Sequence, residues 1–155
     1  MLSKVKTDHE WHIFSKHAKQ PFSVDNIKIE PVNNQKFIHS LASSKGILCG
    51  AGFESVAEAF FLGKKVMAIP MKGQYEQALN GAGIKDMGHQ VIKSFKKKRV
   101  PAIEAWINCP APSRVNYPDN AYTVVNDVMR YAKKHFIKNA ESPLSATPHH
   151  ISQPV

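Results

Sequence analysis

The chain has 155 residues, of which 43% are hydrophobic and 21% charged, the balance of a folded domain large enough to hold one core. No apolar run reaches the roughly 18–20 residues of a membrane span, and the opening MLSKVKTDHEW lacks the apolar centre of a secretion signal. A formal net charge of +9 favours an acidic partner, while the two cysteines, Cys49 and Cys109, have no metal-type spacing and read as packing residues in a reducing cytoplasm.

Short apolar runs alternate with longer helical patterns, the mark of βα units and of an open parallel α/β sheet. After a short polar piece, WHIFS (11–15) reads as a strand, and NIKIEP (26–31) as another that Pro31 closes. Phe37, Ile38 and Leu41 are spaced as one helix face within 34–44, and GILCG (46–50) is a short buried strand. ESVAEAFFLG (54–63) is a helix stopped by Gly63, and KVMAIP (65–70) is a strand that Pro70 ends. Residues 74–88 begin as a helix whose middle Gly81 and Gly83 weaken, and HQVIKSF (89–95) is a last strand. VPAIEAWIN (100–108) and 120–137 are helices, the second long and amphipathic. Together, 1–138 reads as one partial Rossmann-like domain. From about Asn139 the chain turns Ser-, Pro- and His-rich, a tail in which His149 and His150 are weak candidates for metal ligands. No Gly-rich turn precedes Trp11, so the chain reads as starting partway into such a domain.

Two stretches carry chemistry. In LCGAGFESVAEAF (48–60) a strand runs into Gly50-Ala51-Gly52, whose small residues allow a ligand to approach the backbone. The following helix offers unpaired N–H groups and the positive end of its dipole, a phosphate-binding combination. Ser55 can add a hydroxyl, and Glu58, one turn on, can accept from ribose hydroxyls. The same Ser55 and Glu58 also spell S-x-x-E, a capping box serving only the helix. Beyond Pro70, Glu76 and Gln77 fall where the carboxyl ends of parallel strands converge, suited to sugar hydroxyls, or else form a solvated helix start. The basic run from Lys93 to Arg99 reads as a solvated turn or as a surface for anionic lipid. Neither zinc-finger nor RNA-binding motifs accompany it, which argues against nucleic acid as partner.

The stretch GAGFESVAEAFFLGKKVMAIPMKGQYEQALNGAGIKDMG resembles the donor-binding half of GT-B fold glycosyltransferases, MurG-like and UDP-glucuronosyltransferase-like enzymes in particular. The shared pattern is G-x-x-[ST]-x-x-E at Gly52, Ser55 and Glu58, a Gly63-Lys64-Lys65 turn, Pro70, and [DEQ]-Q-x-x-N at Glu76, Gln77 and Asn80. The resemblance implies a diphosphate held at Gly52, Phe53, Glu54 and Ser55, ribose at Glu58, and the transferred sugar at Glu76 and Gln77. It implies that the backbone near Val32 faces the base. The chain departs from the pattern at Gly50, where plant-type members carry His, and at Lys65, where the usual turn has proline.

The resemblance also implies that the full enzyme moves a sugar from a nucleotide diphosphate, UDP above all, to an acceptor hydroxyl without metal or other cofactor. The family's first strand, its Gly-rich loop and the N-terminal acceptor domain with the catalytic base have no counterpart here. A partner chain or that domain is therefore expected as a partner. The alternative is a non-catalytic nucleotide-binding or interaction module that a second chain or homodimerisation completes. Asp8, Glu10 and His12, beside the first strand, read as surface residues and not as the missing base.

Overall fold

The computed structural model describes residues 1–136, so the expected tail lies outside the described residues. They fall into two compact units, Met1–Tyr117 and the part of Pro118–Val155 that is described. In the first unit the elements run β1 (Trp11–Ser15), β2 (Phe22–Val24), β3 (Ile27–Pro31), α1 (Asn34–Ser43), β4 (Gly46–Gly50), α2 (Phe53–Phe61), β5 (Lys65–Ile69), α3 (Tyr75–Asp86), β6 (Gln90–Val91) and α4 (Val100–Asn108). Short 3-10 turns cover Leu2–Lys4 and Lys97–Arg99. The second unit holds α5 (Ala121–His135), on which no residue is buried.

The strands form two three-stranded sheets, ordered β1-β3-β2 and β4-β5-β6. The expected α/β architecture with parallel pairing is present: β1 with β3, β4 with β5 and β5 with β6 all run parallel. One element was not foreseen. β2 pairs antiparallel with β3 across the two-residue turn Asp25-Asn26, where Asp25 takes φ 53°. Asp is among the few side chains that tolerate this left-handed region, and Asn26 fixes the turn by donating to the His9 carbonyl at 2.8 Å.

The last expected strand, 89–95, contracts to Gln90–Val91. The register explains this. Ala68 pairs with Val91, so anything beyond Ile92 would have to pair with Pro70, which has no N–H to offer. The basic residues after it leave the sheet and turn into the 3-10 segment.

Helix ends follow local chemistry. Asn33 caps α1 by accepting from the Lys36 N–H at 3.0 Å. At the end of α2 the Gly63 N–H donates to Phe60 C=O and the Lys64 N–H to Ala59 C=O, a Schellman closure with Gly63 at φ 68°. The end of α3 repeats it, Gly88 (φ 84°) donating to Lys85 C=O and His89 to Ile84 C=O. Helix α3 runs unbroken through Gly81, which was expected to weaken it. A Cβ at Gly81 would lie 2.8 Å from Pro70 Cγ, so the glycine lets α3 close onto the end of β5.

Strand β5 is the centre of the unit. Val66, Met67 and Ala68 are wholly buried, with Val66 and Ala68 facing α2 and α3 and Met67 facing α4. This is the two-faced burial of a parallel strand between helix layers. Lys65, the residue standing where the family turn has proline, is buried with them. Its Nζ donates to the carbonyls of Trp106 and Cys109, each at 2.9 Å, and to that of Ile107. All three ammonium protons are thus spent on carbonyls at the end of α4, tying that helix to the sheet. His89, also buried, stacks on Phe60 at 4.6 Å and accepts the Val66 N–H at Nδ1. Burial holds its pKa below the ordinary histidine value, so it is a neutral acceptor.

Candidate functional site

Strand β4 delivers the chain to Gly50, Ala51 is wholly buried, and Gly52 becomes the N-cap of α2. This removes the capping-box reading of Ser55. In a capping box Ser55 would be the N-cap, yet the helix starts at Phe53, which makes Ser55 the third helical residue. Among the described residues no side chain caps α2. The first-turn N–H groups of Phe53, Glu54 and Ser55 therefore have neither an intrahelical nor a side-chain acceptor, and they carry the positive end of the dipole. Gly52 is exposed, and a Cβ there would meet nothing within 4 Å. The approach to these donors is open.

Helix α3 frames the same end of the sheet. Asn80 Nδ2 donates to the Ala51 carbonyl at 3.0 Å, fixing the backbone just ahead of Gly52. Gln77 takes the Met71 N–H at Oε1 (3.0 Å) and donates through Nε2 to Gln74 Oε1 (2.9 Å), which ties the loop after β5 to the first turn of α3. A Cβ on Gly50 would stand 3.7 Å from Gln77 Oε1, so the first residues of α3 adjoin the end of β4. Of the residues proposed from sequence, Gly52, Phe53, Glu54, Ser55 and Glu58 share the first turns of α2, with Gln77 beside them. Glu58 and Glu76 are exposed and Ser55 is half-buried. Val32 stands apart, 66% exposed, one residue past β3 in the other sheet. Asn80 was noted only as part of a pattern; its anchoring of Ala51 becomes evident once α3 packs against the β4–α2 turn.

Cys49 is the last half-buried residue of β4, and desolvation pushes its thiol up to about 11, so at neutral pH it is no nucleophile. The reading of His12 as a surface residue is corrected. It is half-buried, its Nδ1 lies 2.9 Å from Ser40 Oγ, and its Nε2 lies 3.4 Å from Glu30 Oε1. Strand β1 points it toward α1 because its neighbours in the ladder, Trp11 and Ile13, pack on the opposite layer. The Lys36 ammonium, hydrogen-bonded to Glu30, is the largest cause holding that carboxyl below its usual range. Glu10 is exposed and paired with Lys28, and Asp8 is exposed, both as expected.

Parallel strands joined by helices, with a helix start bare at the carboxyl end of the sheet, define a Rossmann-like α/β domain. The family profile described as glycosyl transferase family 1 matches residues 1–107, from the N-terminal turn into α4. The chain belongs to that family, whose chemistry is sugar transfer. No curated protein matches the chain significantly. Among the described residues, no helix is long and apolar enough to cross a membrane.

Proposed function

We propose that this chain is the donor-binding portion of a GT-B, hexosyltransferase-like enzyme and that it takes a nucleotide diphosphate sugar, with UDP as the carrier. The observation that carries the reading is the start of α2: a glycine N-cap, no side-chain cap, and open space over three free N–H groups. The diphosphate sits there, its charge met by aligned N–H dipoles and the Ser55 hydroxyl. Glu58, one turn along α2, accepts from the ribose hydroxyls. Glu76 and Gln77 meet the sugar, and the backbone at Val32 meets the base.

In the transfer step the bond between the anomeric carbon and the diphosphate oxygen breaks, and negative charge grows on the departing diphosphate. Fixed dipoles aimed at that charge stabilise the transition state more than the ground state. A general base on the acceptor side, outside this chain, removes the acceptor proton. Asn80 acts at one remove, by holding the Ala51 carbonyl and hence the turn. The second reading, a nucleotide-binding module that a partner chain completes, is favoured by the division of the sheet in two.

The test is calorimetric titration with UDP, UDP-GlcNAc and UMP, with Glu58→Ala beside the unchanged chain. The expected result is binding that needs the diphosphate, so that UMP is at least tenfold weaker, and that weakens again in Glu58→Ala. Equal affinity for UMP and UDP by a folded chain would refute the placement of the diphosphate.

A further inference from the structure

The basic run from Lys93 to Arg99 is placed against its own surroundings. Ile92 donates to the Ala68 carbonyl at 3.0 Å, after which the chain leaves the β4-β5-β6 sheet at its carboxyl edge. Gly52 and the start of α2 lie on that same edge, because β4, β5 and β6 run parallel. Helix α4 starts there too. Its last carbonyls bond Lys65 at the start of β5, so its axis runs back against the strands. Lys96, Lys97, Lys98 and Arg99 are therefore the residues directly ahead of the α4 N-terminus, with Lys93 just before them.

That is the wrong end of a helix for cations. The N-terminus carries the positive end of the dipole, which favours acidic side chains and opposes basic ones. The first turn of α4 holds no acidic residue. Among the described residues no ion pair involves Lys93 or any of Lys96 to Arg99. Glu104, further along α4, accepts the Lys6 N–H at 2.8 Å. The four lysines are exposed, and Arg99 Nε is buried without a hydrogen-bond partner. Like charges in adjacent positions also repel one another. A solvated turn needs only polar residues, and neutral ones would serve α4 better. An anionic surface outside the chain would relieve every one of these costs.

The shape of the segment selects the kind of anion. Lys97, Lys98 and Arg99 form a 3-10 turn, in which successive side chains diverge by about 120°. They fan out around the end of the α4 axis instead of converging on a point. Such a fan suits a broad charged plane met end-on, and not a single phosphate. All but Arg99 are lysines, compact hydrated charges on flexible stems, without the planar fork that grips one phosphate. Phe95, between Lys93 and Lys96, keeps 45% of its surface exposed. An apolar ring among lysines is the composition of a segment that rests in a headgroup layer. We propose that Lys93 to Arg99 docks the chain on a bilayer containing anionic lipid, with the carboxyl edge of the sheet turned towards it. The docking does not rest on the donor reading.

The test is sedimentation of the full chain with vesicles of phosphatidylcholine, alone or mixed with phosphatidylglycerol. The chain should bind the mixture and be released as salt rises from about 0.1 M to about 1 M, where the Debye length shrinks from about 10 Å to about 3 Å. Each lysine near an anionic surface gives about a fivefold gain in affinity, so Lys96→Gln/Lys97→Gln/Lys98→Gln should weaken binding by about a hundredfold. Lys4→Gln/Lys45→Gln/Lys85→Gln removes the same charge from exposed lysines, two of them at the amino edge, and should stay within about threefold. The first variant should also melt no lower than the unchanged chain, since it removes cations from the positive end of α4. Equal losses in the two variants would assign binding to net charge and overturn the proposal. Equal binding to phosphatidylcholine alone would overturn it as well. So would a single-stranded oligonucleotide that binds more tightly than the mixed vesicles at one salt and loses that affinity in the first variant, since nucleic acid would then be the partner. A lowered melting temperature in that variant would do the same, by showing that the run serves the fold.

Discussion

Replacing Gly52 by Asp separates what α2 needs from what a ligand needs. The position has φ −70° and ψ 156°, open to any residue, and a Cβ there meets nothing within 4 Å. Asp is a better N-cap than Gly by a few tenths of a kcal/mol, and its charge gains about 0.3–1 kcal/mol from the helix dipole. Gly52→Asp should therefore stabilise the chain by about 0.5–1 kcal/mol, a rise of ~1–4 °C in Tm. The same carboxylate takes the N–H groups proposed to hold the diphosphate and sets a negative charge beside that position. Two unit charges ~4 Å apart near a protein surface repel by ~4 kcal/mol before salt screening. Exposure reduces this, and UDP affinity should still fall by more than about tenfold, ~1.4 kcal/mol. Differential scanning fluorimetry and calorimetric titration on one preparation give both numbers. A variant that is more stable and binds UDP as before would refute the placement of the anion at α2. A variant that is destabilised would refute the reading of Gly52 as a bare cap.

Gly46→Ala should cost about 1–3 kcal/mol by urea unfolding, because the new Cβ would stand 2.6 Å from Lys65 Cγ and O and 3.0 Å from Trp106 Cζ2. A loss under ~0.5 kcal/mol would mean the contact relaxes freely. Lys65→Met should cost about 2–3 kcal/mol by stranding carbonyls that charge-assisted bonds now satisfy. Lys64→Met, which removes one exposed bond to Ala42 C=O, should stay within ~1 kcal/mol; equal losses would deny Lys65 its anchoring role. His89 has a folded-state pKa depressed by burial below its unfolded value of about 6.5, so the unfolded chain binds the extra proton first. Its contribution is complete above about pH 6.5 and is lost as pH falls below that. His89→Asn, which keeps an acceptor for the Val66 N–H, should flatten the pH 5–7 slope of unfolding free energy; an unchanged slope would assign the dependence to other histidines.

Much of the fold was legible because its signals are local. Apolar runs bounded by Pro31 and Pro70 marked strands, and Gly63 marked a helix end because few other residues accept its φ of 68°. What escaped was set by neighbours distant in the chain. Strand β2 exists only because β3 offers it a ladder, and β6 ends early because Pro70, in another element, has no donor. Gly81 read as a weakness until Pro70 came to lie against it. His12 read as surface, and it became half-buried when α1 brought Ser40 to it.

The candidate site divides in the same way. Gly52, Ser55, Glu58, Glu76 and Gln77 stood out in the sequence because their types and spacing suit a diphosphate and hydroxyls. Whether Ser55 capped its own helix depended on where α2 begins, and sequence spacing allowed either start. Tertiary structure chose, since burial of Ala51 and its carbonyl bond from Asn80 place Gly52 at the cap and Ser55 inside the first turn. Which strands keep an unpaired edge was decided by the assembled sheets and not by the composition of β1 or β4. An apolar strand looks the same whether one or both of its edges are paired, and only the assembled sheet distinguishes them.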